Sequence, residues 1–226
     1  MMVRFTQKVG KKGSQKRIQI LINQWPELLN SRIKNNLGFN ESEEIEWRSP
    51  LAKDDYAEYR DQAFIEKLGV NLNIVPLSDF RPSRGPQWDG LGKTNSGKLL
   101  LLEAKSHISE LLSQGTEASD EVSLSRIRSS LNETKQYLNS RSQADWSKSF
   151  YQYTNRLSQL YLLRVLNEIP AYLIFVYFTN DEAMKGPKTV DEWMGAIKLL
   201  YHYFGIKRHK LSRYITNVFV DVDELQ

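Results

Sequence analysis

The sequence predicts an α/β protein: a mixed central sheet with helices on both faces. Three observations carry that expectation. Two apolar runs, Leu99–Leu102 within KLLLLEAK and Ala171–Phe178 (AYLIFVYF), lack the alternation of a half-exposed strand and read as strands buried on both sides. Stretches with apolar residues at three- and four-residue steps flank them. The elements follow in the order α–α–β–β–β–α–α–β–α–β, which layers helices over a sheet.

Ser14 to about Leu37 is the first helical stretch, with Ile18, Leu21, Ile22, Trp25, Leu28, Leu29 and Ile33 on its apolar side. Pro26 implies a kink or two shorter helices, and Gly38 a stop. A second helix is expected from about Lys53 to Leu68, entered after Ser49-Pro50, closed by Gly69 and striped by Tyr56, Tyr59 and Ala63. Asn71–Leu77 reads as a strand limited by Pro76. After a loop from Ser78 to Pro86, Gln87–Leu91 and Lys98–Lys105 read as a hairpin joined by the turn-rich GKTNSG. Val122 to about Asn139 and Ser147–Glu168 are helices, followed by the strand Ala171–Phe178. Thr189 to about Phe204 is a helix, and Ile215–Val220 a last strand. The expected organisation is a single domain over 1–226, with an N-terminal helical extension (1–48), a core (49–180) and a C-terminal helix and strand (181–226).

Composition narrows the function. With 40% hydrophobic and 26% charged residues the chain is neither a disordered tail nor a membrane protein. No apolar run approaches the roughly 20 residues that span a bilayer. The basic N-terminus lacks an apolar segment, so no signal peptide and a cytoplasmic protein are expected. Zero cysteines exclude a disulfide framework, a thiolate nucleophile and a cysteine zinc site. No GxxxxGK[ST], GxGxxG or GxSxG occurs. The net charge is +4, with basic clusters before Gly38 and at Lys207–Arg213 and an acidic run from Glu41 to Glu66. The basic clusters suit a polyanion or are plain solvated faces.

The chemistry concentrates in Pro86-Gln87-Trp88-Asp89-Gly90 and Leu99 to Lys105. Side chains alternate along a strand, so Leu99, Leu101, Glu103 and Lys105 share one face. A Glu and a Lys on one face of a buried strand need partners, unless the strand emerges into water at Glu103. A hairpin loop with an odd number of residues, for example Lys93 to Gly97, puts Asp89 opposite Leu101, diagonal to Glu103 and on its face; an even loop puts it on the other face. Two carboxylates beside a Lys suit a hard divalent cation, Mg²⁺ or Mn²⁺, taking oxygen ligands and able to activate water at a phosphate.

Asp89 followed by Glu103-x-Lys105, after an acidic helix, resembles the PD-(D/E)xK nuclease superfamily, with its restriction-endonuclease-like α–β–β–β–α–β core; Lys53 to Phe178 can be laid onto it. Trp88 stands where the family name has Pro. The resemblance implies hydrolysis of DNA phosphodiester bonds leaving a 5′-phosphate. It implies metal on Asp89 and Glu103, with the Ala104 carbonyl and an acid from the preceding helix (Glu58, or else Glu66), and Lys105 positioning the attacking water. It further implies a polar residue on a later helix. Gln152, Asn155, Arg156 and Gln159 form one stripe there, with Gln152 or Arg156 directed at the site. Arg81 and Arg84 would contact the nucleic-acid backbone with Arg156. Nucleases of this fold that cut both strands are often dimers, which leaves a homodimer open. The other reading is a non-catalytic nucleic-acid-binding or partner-docking module on the same fold.

Overall fold

Five strands form one mixed sheet in sequence order: β1 (Ile45–Ser49), β2 (Gly90–Thr94), β3 (Leu99–Lys105), β4 (Ala171–Thr179) and β5 (Ile215–Asp221). The computed structural model describes residues 4–226. β1, β2 and β3 are antiparallel neighbours; β3–β4 and β4–β5 are parallel.

The helices divide between the two faces. α1 (Gly13–Gln24) and α2 (Pro26–Leu37) cover one, packing Ile18, Leu21, Ile22, Leu29 and Ile33 against Leu100, Leu102, Ile174, Val176 and Val218. The other face lies under α3 (Gln62–Leu68), α4 (Leu77–Phe80), α5 (Glu121–Tyr137), α6 (Tyr151–Tyr161) and α7 (Val190–Phe204). There Phe64, Leu131, Leu157, Trp193 and Phe204 meet Leu99, Leu101, Leu173 and Phe175. Among the described residues no helix is long and apolar enough to cross a membrane.

The first helical stretch is two helices: Pro26 opens α2, where a missing N–H costs nothing, and Gly38 closes it at φ 64°. The helix expected over Lys53–Leu68 is mostly not one. Ala52–Asp54 makes a 3-10 turn, Asp55 and Tyr56 adopt positive φ, and Glu58 and Tyr59 make isolated β-bridges to Phe5 and Trp88. Only Gln62–Leu68 is helical, after Asp61 at φ 52°. The tyrosine spacing misleads because Tyr59 is a buried core residue whose hydroxyl meets Asp54 and Lys67, not part of a helix stripe.

The strand expected at Asn71–Leu77 does not form either. The N–H groups of Ile74 and Val75 donate to Asn167 Oδ1 at 3.1 Å each, so a side-chain amide satisfies the backbone that a ladder would have used. Its place in the sheet is taken by β1, whose alternation (Trp47 and Ser49 buried, Glu46 and Arg48 outward) lies within the acidic run. The expected core therefore starts too late at residue 49. β2 begins at Gly90 rather than Gln87, and α6 starts at Tyr151, continuing into π-helical turns at Leu162–Leu166.

Candidate active site

The β2–β3 hairpin determines what meets what. Thr94 N–H donates to Lys98 O at 2.9 Å, which closes a three-residue loop, Asn95–Gly97, with Gly97 at φ 88°. Three-residue loops of this kind need a left-handed position that glycine fills without strain. The loop is odd, as a shared face requires. It is tighter than the five-residue example, so the pairing runs Lys93–Leu99 to Gly90–Leu102. One step further, Asp89 aligns with Glu103 itself rather than with Leu101. Asp89 Oδ2 accepts the Ala104 N–H at 2.8 Å, which ties the acid to β3.

Glu103 and Lys105 point to the face covered by α6, and α6 supplies their partners. Lys105 Nζ donates to Glu103 Oε1 at 2.6 Å and to Gln152 Oε1 at 3.0 Å. Arg156 Nε donates to Glu103 Oε2 at 2.6 Å, and its Nη2 to the Gln87 carbonyl at 2.6 Å. The guanidinium lies 4.6 Å over the ring of Trp88, so that buried indole forms the floor under it. Gln87 Nε2 donates to Glu58 Oε2 at 2.5 Å, and Gln7 Nε2 to the same oxygen at 3.2 Å. One network thus joins Lys105, Glu103, Arg156, Gln87 and Glu58 along a groove of about 870 Å³. Glu58 reaches it from an extended segment, not from the expected helix. Glu66, the other candidate, is an exposed residue of α3 outside the groove lining.

The carboxyls differ in charge state. For Glu103, burial pushes the pKa up, but Arg156 and Lys105 outweigh it and hold the group below the usual range. Burial pushes Lys105 down, and Glu103 and Asp89 more than restore it, so it stays firmly cationic. Asp89 touches the groove yet is crowded by protein on every other side. Burial, then the charges of Glu103 and Glu58, push it well above the ordinary carboxyl value, against Lys105 and the Ala104 N–H. Glu58 is raised as well, by burial first and by Glu103, against the hydrogen bonds from Gln87 and Gln7. Three acids face two committed cations, so Asp89 and Glu58 lack a full counter-charge and hold their protons to higher pH than ordinary carboxyls do.

That shortfall of positive charge is the feature that fits a divalent cation. The donor chemistry of Asp89 and Glu103 suits Mg²⁺ or Mn²⁺, which need only one or two protein carboxylates. The larger set expected from sequence is not gathered: among the described residues no three Asp, Glu or His side chains stand close enough to share one ion. Glu103 has both oxygens engaged by Lys105 and Arg156, and Glu58 is held by two glutamines. Ala104 contributes an N–H to Asp89.

The stripe on α6 is divided in its work. Gln152 and Arg156 both reach the site. Asn155 accepts from the Arg81 guanidinium, and Gln159 is fully buried beyond it. Arg81 is buried in the groove wall, whereas Arg84 is exposed on its rim at φ 64°, with its N–H donating to Asp61 Oδ2 at 2.9 Å. Gln87 was not singled out from sequence, although it lies two residues before Asp89, the spacing that keeps side chains on one face. The chain matches no protein-family model, no curated protein and no solved structure.

Proposed function

We propose that the protein is a metal-dependent nuclease that hydrolyses DNA phosphodiester bonds in this groove. The observation that carries the reading is the β2–β3 register, which sets Asp89 against Glu103 with Lys105 bonded to Glu103 beneath α6. Support also comes from the order of elements. α2, β1, β2, β3, α6 and β4 run α–β–β–β–α–β, with α3, α4 and α5 as insertions.

Mg²⁺ or Mn²⁺ held by Asp89 and Glu103 would supply Lewis-acid polarisation of a phosphoryl oxygen and a more acidic bound water. The chain's own groups do the rest. Lys105 Nζ, a cation anchored by Glu103 and Gln152, has a third donor with which to orient the attacking water. Arg156 presents positive charge where the phosphate gains negative charge. Arg81 and Arg84 line the groove, where they would contact the nucleic-acid backbone. The water oxygen forms the new P–O bond, the P–O3′ bond breaks, and the proton ends on O3′.

One observation favours a second reading, a non-catalytic nucleic-acid-binding module: both Glu103 oxygens are already occupied by cations. Cleavage of circular and linear DNA with Mg²⁺ or Mn²⁺ and with EDTA separates the two. Metal-dependent cutting that disappears in Glu103→Ala and Lys105→Ala supports the nuclease. Binding that survives EDTA and Glu103→Ala, without cutting by the wild type, overturns it in favour of the module.

A further inference from the structure

Beside the groove lies a second cavity of about 480 Å³, walled off from it by Arg81, Pro82 and Ser83, which line both. Its chemistry differs from that of the groove. Leu72, Pro76 and Pro82 provide apolar surface, and Gln62, Asn71 and Asn73 provide side-chain amides, each with a donor and an acceptor side by side. Its only acid, Asp61, is committed to the wall, with its oxygens accepting the N–H groups of Arg84 (2.9 Å) and Gly85 (2.6 Å). The wall is tight: a Cβ at Gly85 would stand 2.8 Å from Asp61 Oδ1 and 3.1 Å from Arg81 Nε.

Arg81 sits at the junction with its Nε unpartnered and its guanidinium resting on Asn155. A buried cation with a spare donor between an amide-lined pocket and a groove of mixed charge matches a ligand with an uncharged, hydrogen-bonding end and an anionic end. We propose that the side pocket takes one unstacked nucleobase of the bound strand, with its phosphate at Arg81. The choice of a nucleotide rests on the nuclease reading; the pocket's shape and polarity do not. Apolar side chains pack against the faces of a base, and amide groups meet its edge. A nucleotide also fits the volume, which lies within the range of small-ligand sites.

The test uses the full chain in EDTA, with 2-aminopurine deoxyriboside 5′-phosphate, deoxyribose 5-phosphate and inorganic phosphate as probes, read by fluorescence and by ligand-observed NMR. The nucleotide is expected to bind at least about tenfold more tightly than the sugar phosphate. That advantage should disappear in Asn71→Ala/Asn73→Ala, two exposed loop positions, and persist in Glu103→Ala. Equal binding of nucleotide and sugar phosphate, or a preference untouched by the asparagine substitutions, overturns the pocket. DNA cutting that continues alongside either result leaves the nuclease reading standing. A base preference without any metal-dependent cutting removes the nuclease and keeps the pocket.

Discussion

Strand β3 presents two faces of nearly equal burial and unlike content. Leu100, Leu102 and Ala104 face α1 and are surrounded by Ile22, Ile174 and Val176; Leu99, Leu101, Glu103 and Lys105 face the side of α6. The whole strand is buried, so burial alone does not distinguish the two. What differs is how each side is satisfied. The apolar side gains by removing carbon from water, at about 25 cal/mol per Å². The other side must match every charge with a partner, because an unpaired buried ion costs several kcal/mol. Lys105 and Arg156 do this for Glu103, and for Asp89 no cation does it as completely. Along β3 the α1 side is wholly apolar, and the carboxyls short of a counter-charge, the raw material of a metal and phosphate site, lie on the α6 side.

The largest effect should come from Glu103→Ala. It leaves Lys105 and Arg156 buried without their anion, so stability should fall by about 3–5 kcal/mol in urea unfolding, and cleavage should drop by about 10²-fold or more. Cutting that survives would break the contrast between the faces. On the opposite side, Leu100→Ala should cost about 2–5 kcal/mol through the cavity it leaves, with turnover per folded molecule unchanged. A specific loss of turnover there would mean that the apolar face is not merely a support.

The pH response sharpens the comparison. Asp89 and Glu58 have raised values in the fold, so the native state holds protons that the unfolded chain releases. Their contribution therefore declines as pH rises from the ordinary carboxyl range through the raised values. His209 works in the opposite sense: burial lowers it from 6.5 to about 4, so across that window stability increases with pH. The difference between wild type and Asp89→Asn isolates the first effect. In melts with EDTA between about pH 5 and 8 the variant's relative stability should grow as pH rises, and added Mg²⁺ should shrink the gap by stabilising the wild type. A pH-independent difference would place Asp89 outside the charge cluster. The smallest effect is expected from Gln152→Ala. Loss of one hydrogen bond to Lys105 should lower cleavage by up to about tenfold without moving the melting temperature appreciably.

Much of this face was legible. Period-two alternation put Glu103 and Lys105 together, and the 3.6-residue period put Gln152 and Arg156 on one stripe; the structure directs both stripes into the same groove. Other parts were not. Glu58 arrives at the groove on an extended segment that the tyrosine spacing disguised as helix. β1 was hidden within an acidic run, and Asn167 quenches a stretch that reads as strand.

The division has a physical basis. Periodicity, glycine and proline placement and the charge on β3 are local properties of the chain, and from them follow the α/β class, the buried strands, the break at Pro26 and the shared face of Glu103 and Lys105. Register, edge-strand identity and the state of the carboxyls depend on residues far apart in sequence. Asp89 opposite Glu103 follows from where the loop closes at Thr94 and Lys98, and the raised Asp89 and lowered Glu103 follow from which acid Arg156, 53 residues further on, reaches first. Such pairings exist only once the chain has packed, because their energies come from distance and exclusion of water rather than from the order of residues.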